Sequence, residues 1–189
     1  FYGISMVETN LERMGERPDS DFYGGHISAV GDFSEKLKGK VQLGYQIRQI
    51  DKLSNEYGGS HSLPIFEAEV DYDFTEKRTV SLSYKRGGNV SIESPDLALT
   101  SDFVILNVTQ KIGTTGKLSA NFGANYQLDN FETQEGRKYQ FLRMNTGLSY
   151  SFNQWLKSSL RYDLELFDSS KGDIDYTVNR VMLSLSVGY

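Results

Sequence analysis

Apolar and polar side chains alternate along several segments of more than ten residues, and this alternation limits the possible folds more than any other feature. Residues 117–129 show it most completely, because the apolar side chains all have one parity: Leu118, Ala120, Phe122, Ala124, Tyr126 and Leu128. The other parity carries lysine, serine, asparagine, glutamine, aspartate or glycine. A period of two predicts a β-strand whose two faces meet different environments.

No part of the chain approaches the roughly 20 consecutive apolar residues that a membrane-spanning helix needs, because charged or polar residues interrupt every apolar run. Strands of about 10 residues can cross a bilayer with only one apolar face, so a transmembrane β-barrel tolerates a chain that is 24% charged. A soluble β-sandwich or lipocalin-like barrel also alternates, with its apolar face turned inward.

The alternation and the turn residues between segments predict ten strands in a single domain, residues 1–189. Their approximate spans are 1–10, 22–33, 39–50, 64–74, 77–86, 101–112, 116–129, 138–152, 154–168 and 175–189. Short links at 34–38, 75–76, 113–115 and around Asn153 alternate with longer polar links at 11–21, 51–63, 87–100, 130–137 and 169–174. Short turns at one end and long loops at the other are typical of bacterial barrels.

A repeat of about 40 residues supports this meander of hairpins. Its copies, each closing one strand, are Asp32-Phe33-Ser34, Asp73-Phe74-Thr75, Lys111-Ile112-Gly113 and Ser151-Phe152-Asn153. The strands are long, their alternation reaches their ends, and Tyr and Phe concentrate there as in aromatic girdles. We therefore predict an all-β, antiparallel up-and-down transmembrane barrel in the bacterial outer membrane, with its apolar face toward lipid. Phe103 and Ile105 have the polar parity and are exceptions to the pattern.

The polar parity carries most of the strand charges, which are therefore predicted to line the lumen. These residues are Lys40, Arg48, Glu67, Glu69, Asp71, Asp73, Lys85, Arg143, Lys157, Arg161, Asp163 and Glu165. The four carboxylates of residues 67–73 could attract cations in a pore. Lysine and arginine on neighbouring strands could instead neutralise them through cross-strand pairs.

The last strand ends in an unbroken apolar row with an aromatic C-terminus: Val181, Leu183, Leu185, Val187 and Tyr189. This row resembles the C-terminal signal by which outer-membrane proteins are recognised for insertion, so the barrel-assembly machinery is an expected partner. An exposed edge strand of this kind would be an aggregation hazard in a soluble protein.

Other chemistry finds little support in the sequence. A net charge of −5 with mixed signs gives no basic stripe for nucleic acid, and there is no cysteine. Of two histidines, His26 is predicted in a strand and His61 in a polar loop, neither with ligands at metal spacing. Gly58-Gly59 and Gly87-Gly88 are interpreted as loop glycines. No catalytic site, metal site or cofactor is expected.

Residues 148–189 resemble the C-terminal hairpins of the β-barrel porin type 2 family. The likeness rests on Gly147-Leu148-Ser149-Tyr150-Ser151-Phe152, Trp155-Leu156, Arg161-Tyr162 and Asp175-Tyr176-Thr177-Val178-Asn179-Arg180-Val181, with the terminal aromatic. The resemblance implies an outer-membrane barrel associated with export of exopolysaccharide or capsule. Since such barrels have more strands, and no leader precedes Phe1, we expect a C-terminal portion of a larger barrel with its leader removed.

Two functions remain open from the sequence, with a barrel enzyme well behind both. One is a porin for polysaccharide or small polar solutes, working with periplasmic export components. The other is a small barrel whose lumen is filled by side chains and which serves as a scaffold or surface-binding protein. About 8 strands leave room only for side chains, whereas 16–18 leave an aqueous channel.

Overall fold

The computed structural model describes residues 2–8, 20–50, 59–90, 98–131, 137–170 and 174–188. These form ten strands: β1 Tyr2–Glu8, β2 Ser20–Ser34, β3 Leu37–Ile50, β4 Gly59–Thr75, β5 Arg78–Val90, β6 Ala98–Ile112, β7 Leu118–Phe131, β8 Lys138–Ser151, β9 Leu156–Ser169 and β10 Tyr176–Val187. Within these ranges no helix is long and apolar enough to cross a membrane.

Every strand pairs antiparallel with its neighbour in sequence, in the order β1 to β10, so the sheet is an up-and-down meander. The ten predicted strands are confirmed. Among the described residues the sheet is open, with β1 and β10 as its edges.

Several strands extend further toward the long loops than the sequence predicted. β4 begins at Gly59 rather than at residue 64, β5 continues to Val90, and β6 begins at Ala98. The interpretation of His61, Gly59 and Gly87-Gly88 as loop residues is therefore wrong, because ladder hydrogen bonds continue past the polar and glycine residues that signalled a loop. Residues 9–19, 51–58, 91–97, 132–136 and 171–173, which include parts of all five predicted long links, lie outside the described residues.

In each of the four short turns, the third residue of the repeated tripeptide shapes the turn. The side-chain oxygens of Ser34 and Thr75 each accept a hydrogen bond from the backbone N–H two residues later, at 3.2 and 3.3 Å. Asn153 Oδ1 accepts from the N–H groups of residues 155 and 156 at 3.1 and 2.8 Å. Gly113 supplies a positive φ of 79° instead. The third residue of each repeat therefore shapes its turn, directly or through its backbone.

The two faces of the sheet differ in exposure as well as in polarity. In β3, Leu43 is 58% exposed, whereas the flanking Gln42 and Gly44 on the other face are only partly exposed. Side chains diverge on the convex side of a curved sheet and converge on its concave side, so the polar face is the concave one. We call it the inner face, and the apolar convex side the outer face. A barrel with lipid outside and a polar lumen requires this arrangement.

The inner face changes character near the long loops, where the prediction that alternation reaches the strand ends is wrong. Buried apolar side chains there have the inner parity: Leu99, Phe131, Tyr139 and Phe167. Polar side chains at the same end have the outer parity instead: Arg86, Asp102, Gln140 and Asp168. Because lipid no longer surrounds the outer face at this height, polar groups can face water there and apolar groups can turn inward.

An arginine in the middle of the outer face should oppose insertion. Leu160 lies on the outer face of β9, and Ser159 is its inner-face neighbour. We expect Leu160→Arg to destabilise the barrel in vesicles by roughly 2–4 kcal/mol, since a guanidinium near the bilayer midplane must leave water. Denaturant unfolding from vesicles measures the cost. The matched Ser159→Arg should cost much less, and equal costs would contradict the assignment of the faces.

Candidate functional site

The acidic residues of β4 form a column on the inner face, with each carboxylate in a different situation. Lys40 Nζ donates to Glu67 Oε1 at 2.7 Å. Ser81 donates to Asp71, and Thr79 Oγ1 donates to Asp73 Oδ1 at 2.7 Å. No hydrogen bond or ion pair joins Glu69 to another described residue.

The column is therefore neither a bare acidic row nor a fully neutralised one. Lys85 lies directly across the ladder from Glu67, yet Glu67 pairs with Lys40, which is diagonal to it. Lys85 is exposed and forms no ion pair within the described residues. The backbone of Arg48 pairs with residues 22 and 61, and its side chain lies outside the described parts.

A second charged cluster lies on the inner face of β8 to β10. Arg143 Nε is 3.2 Å from Glu165 Oε2, and Arg161 Nε is 2.6 Å from Asp163 Oδ1. The hydroxyl of Tyr176 donates to the other Glu165 oxygen at 2.8 Å. These charges border a cavity of about 250 Å³. Lys157, near the turn end, is exposed and unpaired among the described residues.

Between the two charged regions, the inner face carries side-chain amides, each of which lies over a glycine on the neighbouring strand. Gly123 and Asn145 are cross-strand partners, as are Asn121 and Gly147. A Cβ added at Gly123 would lie 2.5 Å from the Asn145 amide nitrogen, and one at Gly147 would lie 2.9 Å from Asn121 Oδ1. The missing side chains let each amide lie against the backbone, so this part of the inner face carries hydrogen-bonding groups without bulky projections.

An aromatic cluster, which we call the mouth cluster, lies on the inner face at the loop end of β7 to β10. It consists of Phe131, Tyr139, Phe141, Phe167 and Tyr176. Neighbouring ring centroids along it are 4.6 to 5.2 Å apart. Phe131, Tyr139 and Phe167 are only 6–7% exposed. The mouth cluster is therefore a small packed core inside the wall.

Two guanidinium groups stack on the mouth cluster. Arg137 lies 4.8 Å from the Phe131 ring centroid and 4.9 Å from that of Tyr139, and Arg143 lies 5.2 Å from that of Phe141. Sequence reasoning missed this cluster. The available signal was the change of parity, since Phe141 and Phe167 each fall among the polar positions of their strands.

The predicted insertion signal lies on the outer face of the β10 edge. Val181, Leu183, Leu185 and Val187 are all strongly exposed, with Leu183 at 81%. Tyr189 lies outside the described residues. Recognition of this row by an assembly partner stays a prediction.

The charged residues predicted to line the lumen whose side chains are described lie on one face, so the wall can interact with polar and charged solutes. The described residues include no group of three or more His, Cys, Asp or Glu side chains placed to hold a metal ion. Whether these residues line a water-filled lumen stays a prediction.

Comparison with known proteins agrees with this architecture. The sequence profile of a family described as "Putative beta-barrel porin 2" matches residues 4–189. No protein with a curated description matches the chain.

Among solved structures, in-vitro folded OmpT, an outer membrane protein of Vibrio cholerae, is similar with a TM-score of 0.59 at 13% identity. OmpT of Vibrio cholerae expressed in the outer membrane gives a TM-score of 0.56 at 14% identity. Each match covers 89% of this chain and 56% of the OmpT chain, so this chain spans a little over half the length of those barrels. The likeness establishes the fold.

Removing one ring should test whether the mouth cluster stabilises the barrel. We expect Phe167→Ala to lower the free energy of unfolding by about 3–5 kcal/mol, because a buried ring leaves a cavity. The control is Phe152→Ala at the turn end, where the ring is 48% exposed and contacts Tyr150. Guanidinium unfolding in detergent measures both variants. Equal, small losses would show that the cluster adds little to stability.

Proposed function

This chain belongs to the "Putative beta-barrel porin 2" family, and from that premise we propose that it forms the wall of a passive channel through a bacterial outer membrane. Small polar solutes would diffuse through it, and the charges of the inner face would set its selectivity. Passage of polysaccharide, which the family resemblance suggested, is the more specific form of the proposal.

The observation that supports a channel most strongly is the polarity of the inner face below the mouth cluster. Carboxylates, ammonium and guanidinium groups and amides predominate there, and Glu69, Lys85 and Lys157 are unpaired among the described residues. An unpaired charge in a dry, filled lumen would carry a large desolvation cost. Hydration by water in the lumen would avoid this cost for these side chains, and a passing solute could replace that water.

The amide-over-glycine wall supports passage of hydroxylated solutes. Asn121 and Asn145 offer both hydrogen-bond donors and acceptors, and the glycines opposite them add no side chain that projects from the inner face. A polysaccharide chain could exchange hydrogen bonds with such a surface without a deep binding site. Periplasmic export components would then be the partners that deliver the chain to the channel.

The second candidate is a barrel filled by side chains that acts as a scaffold or surface-binding protein. The mouth cluster favours it, because its three buried rings occupy inner-face volume at the loop end. The described sheet is open, so its own strands do not fix the pore diameter. We further propose that the chain has no catalytic activity and uses no cofactor.

Single-channel recording from the full-length protein refolded into planar bilayers separates the two candidates. We expect stable open currents, because hydrated inner-face charges imply a continuous water path. Persistent absence of current from folded, inserted protein would contradict the channel and favour the filled barrel. If an added polysaccharide interrupts the current, the result would support the more specific proposal that the channel passes polysaccharide.

The acidic column should favour cations. We expect the combined change Glu67→Gln, Glu69→Gln, Asp71→Asn and Asp73→Asn to lower the cation-to-anion permeability ratio about two- to fivefold, since a unit charge several ångströms from an ion in water contributes on the order of 0.5–1 kcal/mol. Reversal potentials in a salt gradient measure the ratio. Asp102→Asn with Asp168→Asn, both on the outer face, is the control. An unchanged ratio in the inner-face variant would exclude this role.

A further inference from the structure

A cavity of about 490 Å³ opens on the inner face between β4, β5 and β6. It lies near the loop end of the acidic column, separate from the cluster on β8 to β10. Its lining combines charged, hydroxyl and aromatic groups, including Glu69, Lys85, Ser101 and Phe103. Such a combination of an apolar surface with a few convergent polar groups is typical of small-molecule sites.

The cavity lies where two neighbouring ladders end at different heights. The β4–β5 ladder ends at Phe66 and Arg86, whereas the β5–β6 ladder continues to Val90 and Ala98. Pro64, which has no N–H to donate, lies in β4 just beyond the end of the β4–β5 ladder. A Cβ added at Gly87 would meet no atom within 4 Å. The missing side chain at Gly87 leaves this part of the inner face open.

Two opposite charges at the cavity have no partner within the described parts of the chain. Glu67, which also lines the cavity, is already paired with Lys40 at 2.7 Å. Glu69 and Lys85, on adjacent strands, form no ion pair with each other. The cavity therefore offers a carboxylate and an ammonium group at separate positions.

A buried hydroxyl and an apolar surface complete the lining. Ser101 is 1% exposed, and its Oγ has no hydrogen-bond partner among the residues that the structure describes. A buried polar group without a partner is costly, and such groups are rare in folded proteins. Phe103 and Ile105, which are exceptions to the alternation, both line this cavity. They provide a surface that the apolar part of a ligand can contact on the otherwise polar inner face.

We propose that this cavity binds a small zwitterionic solute with an apolar side chain, of the amino-acid or short-peptide class. Glu69 accepts hydrogen bonds from the ligand ammonium group, and Lys85 donates to its carboxylate. Phe103 and Ile105 contact the apolar side chain, while the Ser101 hydroxyl gains a polar partner. The inference rests on the proposed channel, which would bring the solute to the wall, and it names one class of solute that the channel would retain.

Isothermal titration of the full-length protein, refolded in detergent, tests the ligand class. The probes are L-phenylalanine, phenethylamine, which lacks the carboxylate, and 3-phenylpropionate, which lacks the ammonium group. We expect L-phenylalanine to bind about tenfold more tightly than either analogue, because each analogue leaves one charged side chain without its partner. Similar affinities for all three probes, or no binding of L-phenylalanine, would overturn the proposal.

Four variants assign the roles. Glu69→Gln should weaken L-phenylalanine binding about tenfold and leave the affinity for 3-phenylpropionate unchanged. Lys85→Met should leave the affinity for phenethylamine unchanged. Gly87→Val should abolish binding of all three probes by filling the cavity. Asp163→Asn, in the other charged cluster, should leave the affinities for all three probes unchanged. Retained discrimination in both Glu69→Gln and Lys85→Met would show that these two side chains do not form the site.

Single-channel recording of the same proteins keeps this inference separate from the proposed function. Open currents without binding of L-phenylalanine would overturn the cavity proposal and leave the channel intact. Binding without current would support the cavity and contradict the channel. Open currents that L-phenylalanine blocks in the parent protein, but not in Gly87→Val, would support both.

Discussion

The backbone hydrogen bonds between neighbouring strands are the interactions on which this molecule depends. In hydrocarbon, an unpaired N–H or C=O group has no water to replace its partner, so each membrane-spanning strand must pair along both sides. The meander meets this condition for its interior strands, because each one pairs with the strands before and after it in sequence, and β1 and β10 are the edges of the described sheet. Once the ladders are fixed, alternate side chains must point to opposite faces, and lipid and water select which residue types occupy each face.

The inner face is not uniform, and its variation follows from the height along the barrel. Where lipid surrounds the outer face, the inner face carries charges and amides, as at Arg143 and Asn145. Near the loop end the constraint from lipid disappears, and rings such as Phe131 and Phe167 turn inward to form the mouth cluster. The inner face therefore combines a charged, polar zone with a packed aromatic rim.

The sequence alone predicts much of this structure, because strand number, turn positions and face polarity all follow from local chemistry. It cannot predict which partner a charge selects. Glu67 pairs with the diagonal Lys40 although Lys85 lies directly opposite, a choice that depends on side-chain packing across three strands. Strand ends are equally hard to predict, since Gly87 and His61 have loop-like neighbours yet lie within ladders. The cavity beside β5 lies where the two ladders differ in length, and it is not apparent from periodicity.

The four similar turns have a consequence for how such a wall can change over evolutionary time. Each repeat of about 40 residues is a hairpin that contacts only its immediate neighbours, and its turn is shaped from within by Ser34, Thr75, Gly113 or Asn153. A gene duplication or deletion of one whole repeat would preserve every remaining ladder and the orientation of both faces. Because adjacent strands are about 4.8 Å apart, each added hairpin would lengthen the perimeter by roughly 10 Å or more. Descendants of such a protein could therefore change their pore diameter in discrete increments while keeping the polarity of both faces.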